Sequence, residues 1–219
     1  MTNDVVFISD FFLNEIIGGA EKYNDALIKF FKTSRSVLAI KSATATEKII
    51  YDNKDKVFIV ANFFLLDESV KLALSDCTYF ILEHDHKYVR NNNPSVYPNF
   101  LAPQSQIINK QFYINARAVI CQSALHSHVL QKNLFINNVV NLGGNIWTPE
   151  DVALLKGNMN TPKTIENAVL RTNNKNKGMP QAVYFCKKTN INFSFLEKKP
   201  YPEFIKDLEK VKNLIFLPQ

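Results

Sequence analysis

Glu83-His84-Asp85-His86 is the densest run of ionisable side chains in this 219-residue sequence. It follows Thr78 to Leu82, an apolar and aromatic stretch that reads as a strand buried on both faces. The cluster therefore stands at the carboxyl end of a strand, where open α/β sheets bind their ligands. Three readings fit it: a metal site built from His84 and His86 with Asp85, a hydrogen-bonded polar cap on the strand end, or direct contact of a substrate by His84. The metal reading needs a distant third ligand that the sequence does not point to. Cys121 and His126 have the composition of a thiol nucleophile and its base, although cysteine is also an ordinary buried residue. His126 and His128, two apart on a helix, point in different directions and so do not read as a shared metal pair.

Two glycine-bearing segments add a different chemistry. Gly18-Gly19 stands between the apolar strand Val5 to Ile8 and a helix whose inward positions are Ala20, Tyr23, Ala26-Leu27 and Phe30-Phe31. A strand feeding a helix through glycines places bare backbone N–H groups and the positive end of the helix dipole at the sheet edge, where phosphate binds. The same pair also fits a plain turn needing positive φ. Late in the chain, Arg171 and Lys177-Gly178 flank the polar loop Thr172 to Asn176 between a strand and a helix. A planar guanidinium fork and an ammonium point charge there could hold a diphosphate, or could simply be solvated.

The elements that must position these groups alternate in type. Strands are expected at Ser36 to Ile40, Lys56 to Ala61, Ala118 to Cys121 and Asn138 to Leu142. Helices are expected at Glu68 to Ser75, Gln104 to Asn115 and from Ser123 onward, with Leu125 and Val129 facing the core. Thr44 to Asn53 reads as a short helix or an edge strand. Thr148-Pro149-Glu150-Asp151 is a helix start with a capping Thr, Pro at the first position and acids in the first turn, and Gly157 is its stop. This alternation predicts a doubly wound, mostly parallel, Rossmann-like α/β sheet over residues 1–160. A second βαβαβ series over residues 161–219 reaches only three strands, which predicts an incomplete second Rossmann-like domain and a truncated chain. Asn91 to Ala102, with Pro94 and Pro98, is a long loop of the kind that carries function.

Composition narrows the classes. A hydrophobic share of 46% with 17 Phe provides for a sizeable core, yet the longest apolar run, Val57 to Leu66, is too short to span a bilayer of about 30 Å. No basic region precedes an apolar one near the N-terminus, so no secretory signal is read. Three cysteines (Cys77, Cys121, Cys186) without paired spacing fit a reducing cytoplasm. The net charge of +6 admits an anionic partner: a nucleotide, a nucleic acid or a membrane surface.

Taken in order, these segments resemble the GT-B glycosyltransferases, and most of all the large retaining family numbered four. Gly18-Gly19-Ala20-Glu21 matches its early glycine motif, and Ile81 to Asp85 is similar to its strand ending in His-Asp. Asn115-Ala-Arg-Ala-Val-Ile-Cys-Gln-Ser123 is similar to its Ala-Asp-x-Val-Ile-x-x-Ser strand, and Arg171 with Lys177-Gly178 stands at its Arg-x5-Lys-Gly spacing. The resemblance implies transfer of a sugar from a nucleotide-sugar donor to an unknown acceptor, with retention of configuration and without a metal or other cofactor. It implies that Arg171, Lys177 and Gly178 hold the donor diphosphate, that Gly18 and Gly19 border the donor phosphates or the reacting sugar, and that His84 contacts that sugar with Glu83, Asp85 and His86 nearby. Asn141-Leu142-Gly143-Gly144-Asn145 departs from the family's usual turn. The family's donor-binding pair of glutamates would fall beyond Gln219, so the chain as it stands is expected to transfer weakly or not at all. The contrasting expectation is a non-catalytic basic Rossmann-like module that binds a nucleotide or nucleic acid.

Overall fold

The computed structural model describes residues 4–162, 167–169, 179–189, 193–195 and 214–216. It divides into two compact units, Met1–Val152 and Ala153–Gln219. The first unit is an α/β structure around a six-stranded, all-parallel sheet compatible with a Rossmann-like domain. Its strands are β1 (Val5–Ser9), β2 (Val37–Lys41), β3 (Val57–Val60), β4 (Thr78–Glu83), β5 (Ala118–Cys121) and β6 (Val139–Asn141). They lie in the order β2-β1-β3-β4-β5-β6 with every pair parallel.

The order records one reversal of direction. From β1 the chain steps outward through α1 (Gly19–Lys32) to β2, then returns through α2 (Glu47–Asp52) to β3 on the other side of β1. It continues in one direction through α3 (Glu68–Leu74), α4 (Lys110–Asn115) and α5 (Ala124–Leu134) to β6. Parallel crossovers are right-handed, so the reversal puts α1 on one face of the sheet and α2 to α5 on the other. The packing agrees. Val6, Ile8, Phe58, Val60, Tyr79, Ile81 and Val119 pack with Ile50, Leu74, Phe112, Tyr113 and Leu130, whereas Val5, Phe7, Ile59 and Leu82 pack with Tyr23 and Ile28 of α1. β1 is buried along its whole length because strands flank it on both sides and helices cover both its faces. On the α1 face that helix packs over β1, β3 and β4 through Tyr23 and Ile28. Beside it opens an apolar groove of about 890 Å³, lined by Phe80, Leu82, Ile120, Leu142 and Ile146 among others.

Several expectations are corrected. Gln104 to Asn115 is not one helix: Gln104–Gln106 is a 3-10 turn, Ile107 bridges antiparallel to Val89, and Asn109 takes a left-handed φ of 56° before α4 begins. Asn tolerates that conformation, and here its side chain also bonds the Lys87 carbonyl and the Lys71 ammonium, so tertiary contacts outweigh local helix preference. Leu125 is exposed, whereas Val129 is buried. Phe30 is exposed, and Ile28 is buried on α1 in its place. Ser123 does cap α5, accepting from the His126 N–H, and Thr46 caps α2 in the ambiguous segment. The long loop after β4 is pinned by the buried Asn133 of α5, which accepts from the Ala102 N–H and donates to the Phe100 carbonyl. α6 (Pro149–Asn158) begins at the expected Pro and runs one residue past Gly157.

In the second unit, β7 (Ala168–Val169), β8 (Phe193–Phe195) and β9 (Leu214–Phe216) pair in parallel, with α7 (Met179–Lys188) between β7 and β8 in sequence. Among the described residues no helix is long and apolar enough to cross a membrane.

Candidate functional site

The carboxyl edge of the six-stranded sheet gathers side chains from segments far apart in sequence. Leu82 faces α1, so His84, two residues on, leans to the same side and meets that helix. Its Nε2 lies 3.1 Å from Asn24 Oδ1, and its ring packs edge-on against Tyr23 with centroids 5.5 Å apart. Gln122, just past β5, places Nε2 3.3 Å from His84 Nδ1, and Asn24 Nδ2 in turn donates to Ser9 Oγ at 3.4 Å. Every donor meets an acceptor if Gln122 donates to Nδ1 and the Nε2–H of a neutral ring donates to Asn24. Burial and the nearby Lys87 ammonium push the His84 pKa down to about 4, which keeps the ring neutral near pH 7. His84 is thus a half-buried, oriented, uncharged imidazole.

His86 goes elsewhere. Its left-handed φ of 52° breaks the strand alternation and turns it toward the α5 side. There Nδ1 meets the Tyr88 hydroxyl at 2.8 Å and the ring lies 4.2 Å from that of His126. His84 and His86 are therefore not brought together as a ligand pair, and no trio of His, Cys, Asp and Glu among the described residues converges in ligand geometry. Asp85 is exposed. Cys121 is fully buried, and burial pushes its thiol up to about 12, leaving no thiolate for the nucleophile reading.

Glu83 faces inward on the α5 side and is fully buried. Its Oε1 accepts from the Asp85 N–H at 2.9 Å and from the Lys87 ammonium at 3.4 Å, and its Oε2 accepts from the Tyr113 hydroxyl. Burial alone would raise its pKa, but Lys87, Tyr113 and the Asp85 N–H together hold it down at about 2. Glu83 is a permanently ionised hub that fixes the turn carrying His84. The signals for these partners were weak. Asn24 is, with Glu21, one of two polar residues on the buried side of α1, and Lys87 stands four residues after Glu83. Tyr113 had no local signal at all.

Gly18 is extended, at φ −132° and ψ 169°, so the pair is not a positive-φ turn. A Cβ on Gly18 would collide with the Glu21 carboxylate, and one on Gly19 would meet nothing within 4 Å. Glu21 is itself buried and lies against the start of α1, where it already offers negative charge to the helix dipole. Nearby, Asp10 at the end of β1 accepts from the backbone N–H groups of Phe64 and Leu65 at 2.9 and 3.1 Å, tying the ends of β1 and β3 together. Arg171, Lys177 and Gly178 lie outside the described residues.

A scan against protein-family models matches none of them, and a search of curated proteins finds no match to this chain.

One consequence of the His84 network is measurable. Asn24→Ala removes the acceptor of His84 Nε2–H and the donor to Ser9 at a fully buried position. It is expected to cost about 1–3 kcal/mol in urea unfolding, and a variant as stable as the parent would show that the chain of hydrogen bonds holds nothing.

Proposed function

We propose that this protein is a retaining glycosyltransferase that uses a nucleotide sugar, with the six-stranded unit on the acceptor side. The observation that supports this reading most is the meeting of His84 with Asn24. The His-Asp motif at the end of β4 and the helix that opens at Gly18-Gly19-Ala20-Glu21 come from segments 60 residues apart, yet they join at one sheet edge through a 3.1 Å contact. A neutral imidazole at the sheet edge suits a group that gives up one of its two internal hydrogen bonds to meet a sugar hydroxyl, rather than one that shuttles protons at pH 7. The glycines fit the same role. Gly19 is the first residue of its helix, and neither backbone conformation nor packing requires a glycine there. What it leaves is open space in front of the helix, where a sugar could approach.

In this reading Arg171 and Lys177 neutralise the diphosphate leaving group, the largest charge change of the reaction. Where sugar transfer from a nucleotide sugar is measurable, by this chain or by a longer enzyme that contains it, Arg171→Ala is therefore expected to lower it by about 100-fold or more, and near-wild-type turnover would remove Arg171 from that role. Salt-dependent binding to DNA with no thermal shift from any nucleotide sugar would select instead a non-catalytic binding module.

A further inference from the structure

On the α3 side of the sheet edge lies a second cavity, of about 440 Å³, lined by Phe63, Glu68, Lys71, Lys87, Arg90 and Asn109 among others. Three of these residues are cations, and two of the three are buried: Lys87 is 1% exposed and Lys71 is 8% exposed. Buried ammonium groups are costly unless their donors are used. Lys71 Nζ donates to Glu68 Oε1 at 2.6 Å and to Asn109 Oδ1 at 2.9 Å. Lys87 Nζ has only the long 3.4 Å contact with Glu83, a carboxylate at 3.9 Å on the exposed Asp85, and the ring faces of Phe63 and Phe64 at 5.3 and 5.4 Å. Three N–H donors and one long hydrogen bond leave this ammonium short of acceptors beside a cavity that it lines. Lys71 stands over the same Phe63 ring at 5.7 Å, so two like charges share one aromatic floor.

The cavity is built rather than incidental. Asn109 donates to the Lys87 carbonyl at 2.8 Å while accepting from Lys71, so one left-handed Asn joins the two cation-bearing segments. The rim is fixed by backbone bonds from Arg90 N–H to Gln106 and from Ile108 N–H to Tyr88, at 2.9 Å each. Arg90 stands exposed at that rim. Two buried ammonium groups and an exposed guanidinium line this one cavity, a set of donors whose charge suits a phosphate group.

We propose that this cavity, distinct from the His84 edge, binds a phosphate group. Its volume leaves room for an organic moiety beyond the phosphate itself. The proposal does not depend on sugar transfer.

Isothermal titration of the full chain with inorganic phosphate and, separately, with glycerol 3-phosphate tests it, with the amide resonances of Asn109 and Arg90 followed by NMR. Saturable binding that shifts those resonances supports the site. Tighter binding of glycerol 3-phosphate assigns it to a phosphorylated organic molecule, and tighter or equal binding of inorganic phosphate assigns it to the free anion. Arg90→Ala, at an exposed position that does not threaten folding, is expected to weaken binding at least tenfold, and Lys71→Met to do the same where it folds. Absence of saturable binding of either probe, or unchanged affinity in Arg90→Ala, overturns the proposal.

Discussion

Lys87→Met is expected to destabilise the six-stranded unit by about 3–5 kcal/mol, a large part of the 5–15 kcal/mol that holds an ordinary domain together. The reason is the charge left behind. Glu83 has no solvent exposure, and Lys87 has 1%. Removing the ammonium strands a buried carboxylate with only the Asp85 and Lys87 N–H groups and the Tyr113 hydroxyl to solvate it. The double variant Glu83→Gln/Lys87→Met removes both charges and keeps an amide that can bond the same backbone N–H groups. It is expected to recover most of the loss, because replacing a buried ion pair by neutral groups is often close to neutral whereas breaking one is not. Urea unfolding of the parent and of the two variants measures this. A single variant costing less than about 1 kcal/mol, or a double variant no better than the single, would show that Glu83 does not depend on Lys87.

Acid is expected to act earlier on this protein than carboxylate protonation alone would allow. The folded pKa values of His84 and His86 are both pushed down to about 4, by burial first and then by the Lys87 charge and the His126 ring. In the unfolded chain both titrate near 6.5. Between those values the unfolded state binds protons that the folded state refuses, so stability falls as pH falls. The slope is about 1.4 kcal/mol per pH unit for each ring, and the total is roughly 3 kcal/mol per ring by pH 4. His126, lowered by burial as well, adds in the same direction. Glu83 then acts over a lower window, since its folded pKa of about 2 lies below the unfolded value near 4.5 and its contribution is lost through that interval. Urea midpoints measured from pH 7.5 to 4 should drop steeply below about pH 6.5. His84→Gln and His86→Gln should each flatten the curve, and a profile level down to pH 4.5 would contradict the burial of both rings.

Much of the architecture could be read locally. The strand Ala118–Cys121 matches its expected span, and Ser123 caps the next helix as its type and position suggest. Such features depend on a few neighbouring residues: apolar runs for strands, a hydroxyl at a helix start, a Pro in the first turn. Parallel pairing also followed, because alternating strands and helices leave the chain little other choice.

What remained hidden depended on which face a residue meets and on partners distant in sequence. His84 and His86 share a spacing that suggests one ligand pair, and only the left-handed turn at His86 sends them to opposite sides of the sheet edge. Asn109 lies in a segment that reads as continuous helix, and its bonds to Lys71 and Lys87 decide otherwise. Glu83 finds Tyr113 30 residues away because β4 and α4 pack on the same side of the sheet. The sequence by itself determined the alternating α/β plan and the location of the ionisable cluster at a strand end, since both follow from local periodicity. The tertiary structure decided the strand order, the split of the two histidines and the pairing of buried charges, because each of these depends on which elements become neighbours once the sheet has formed.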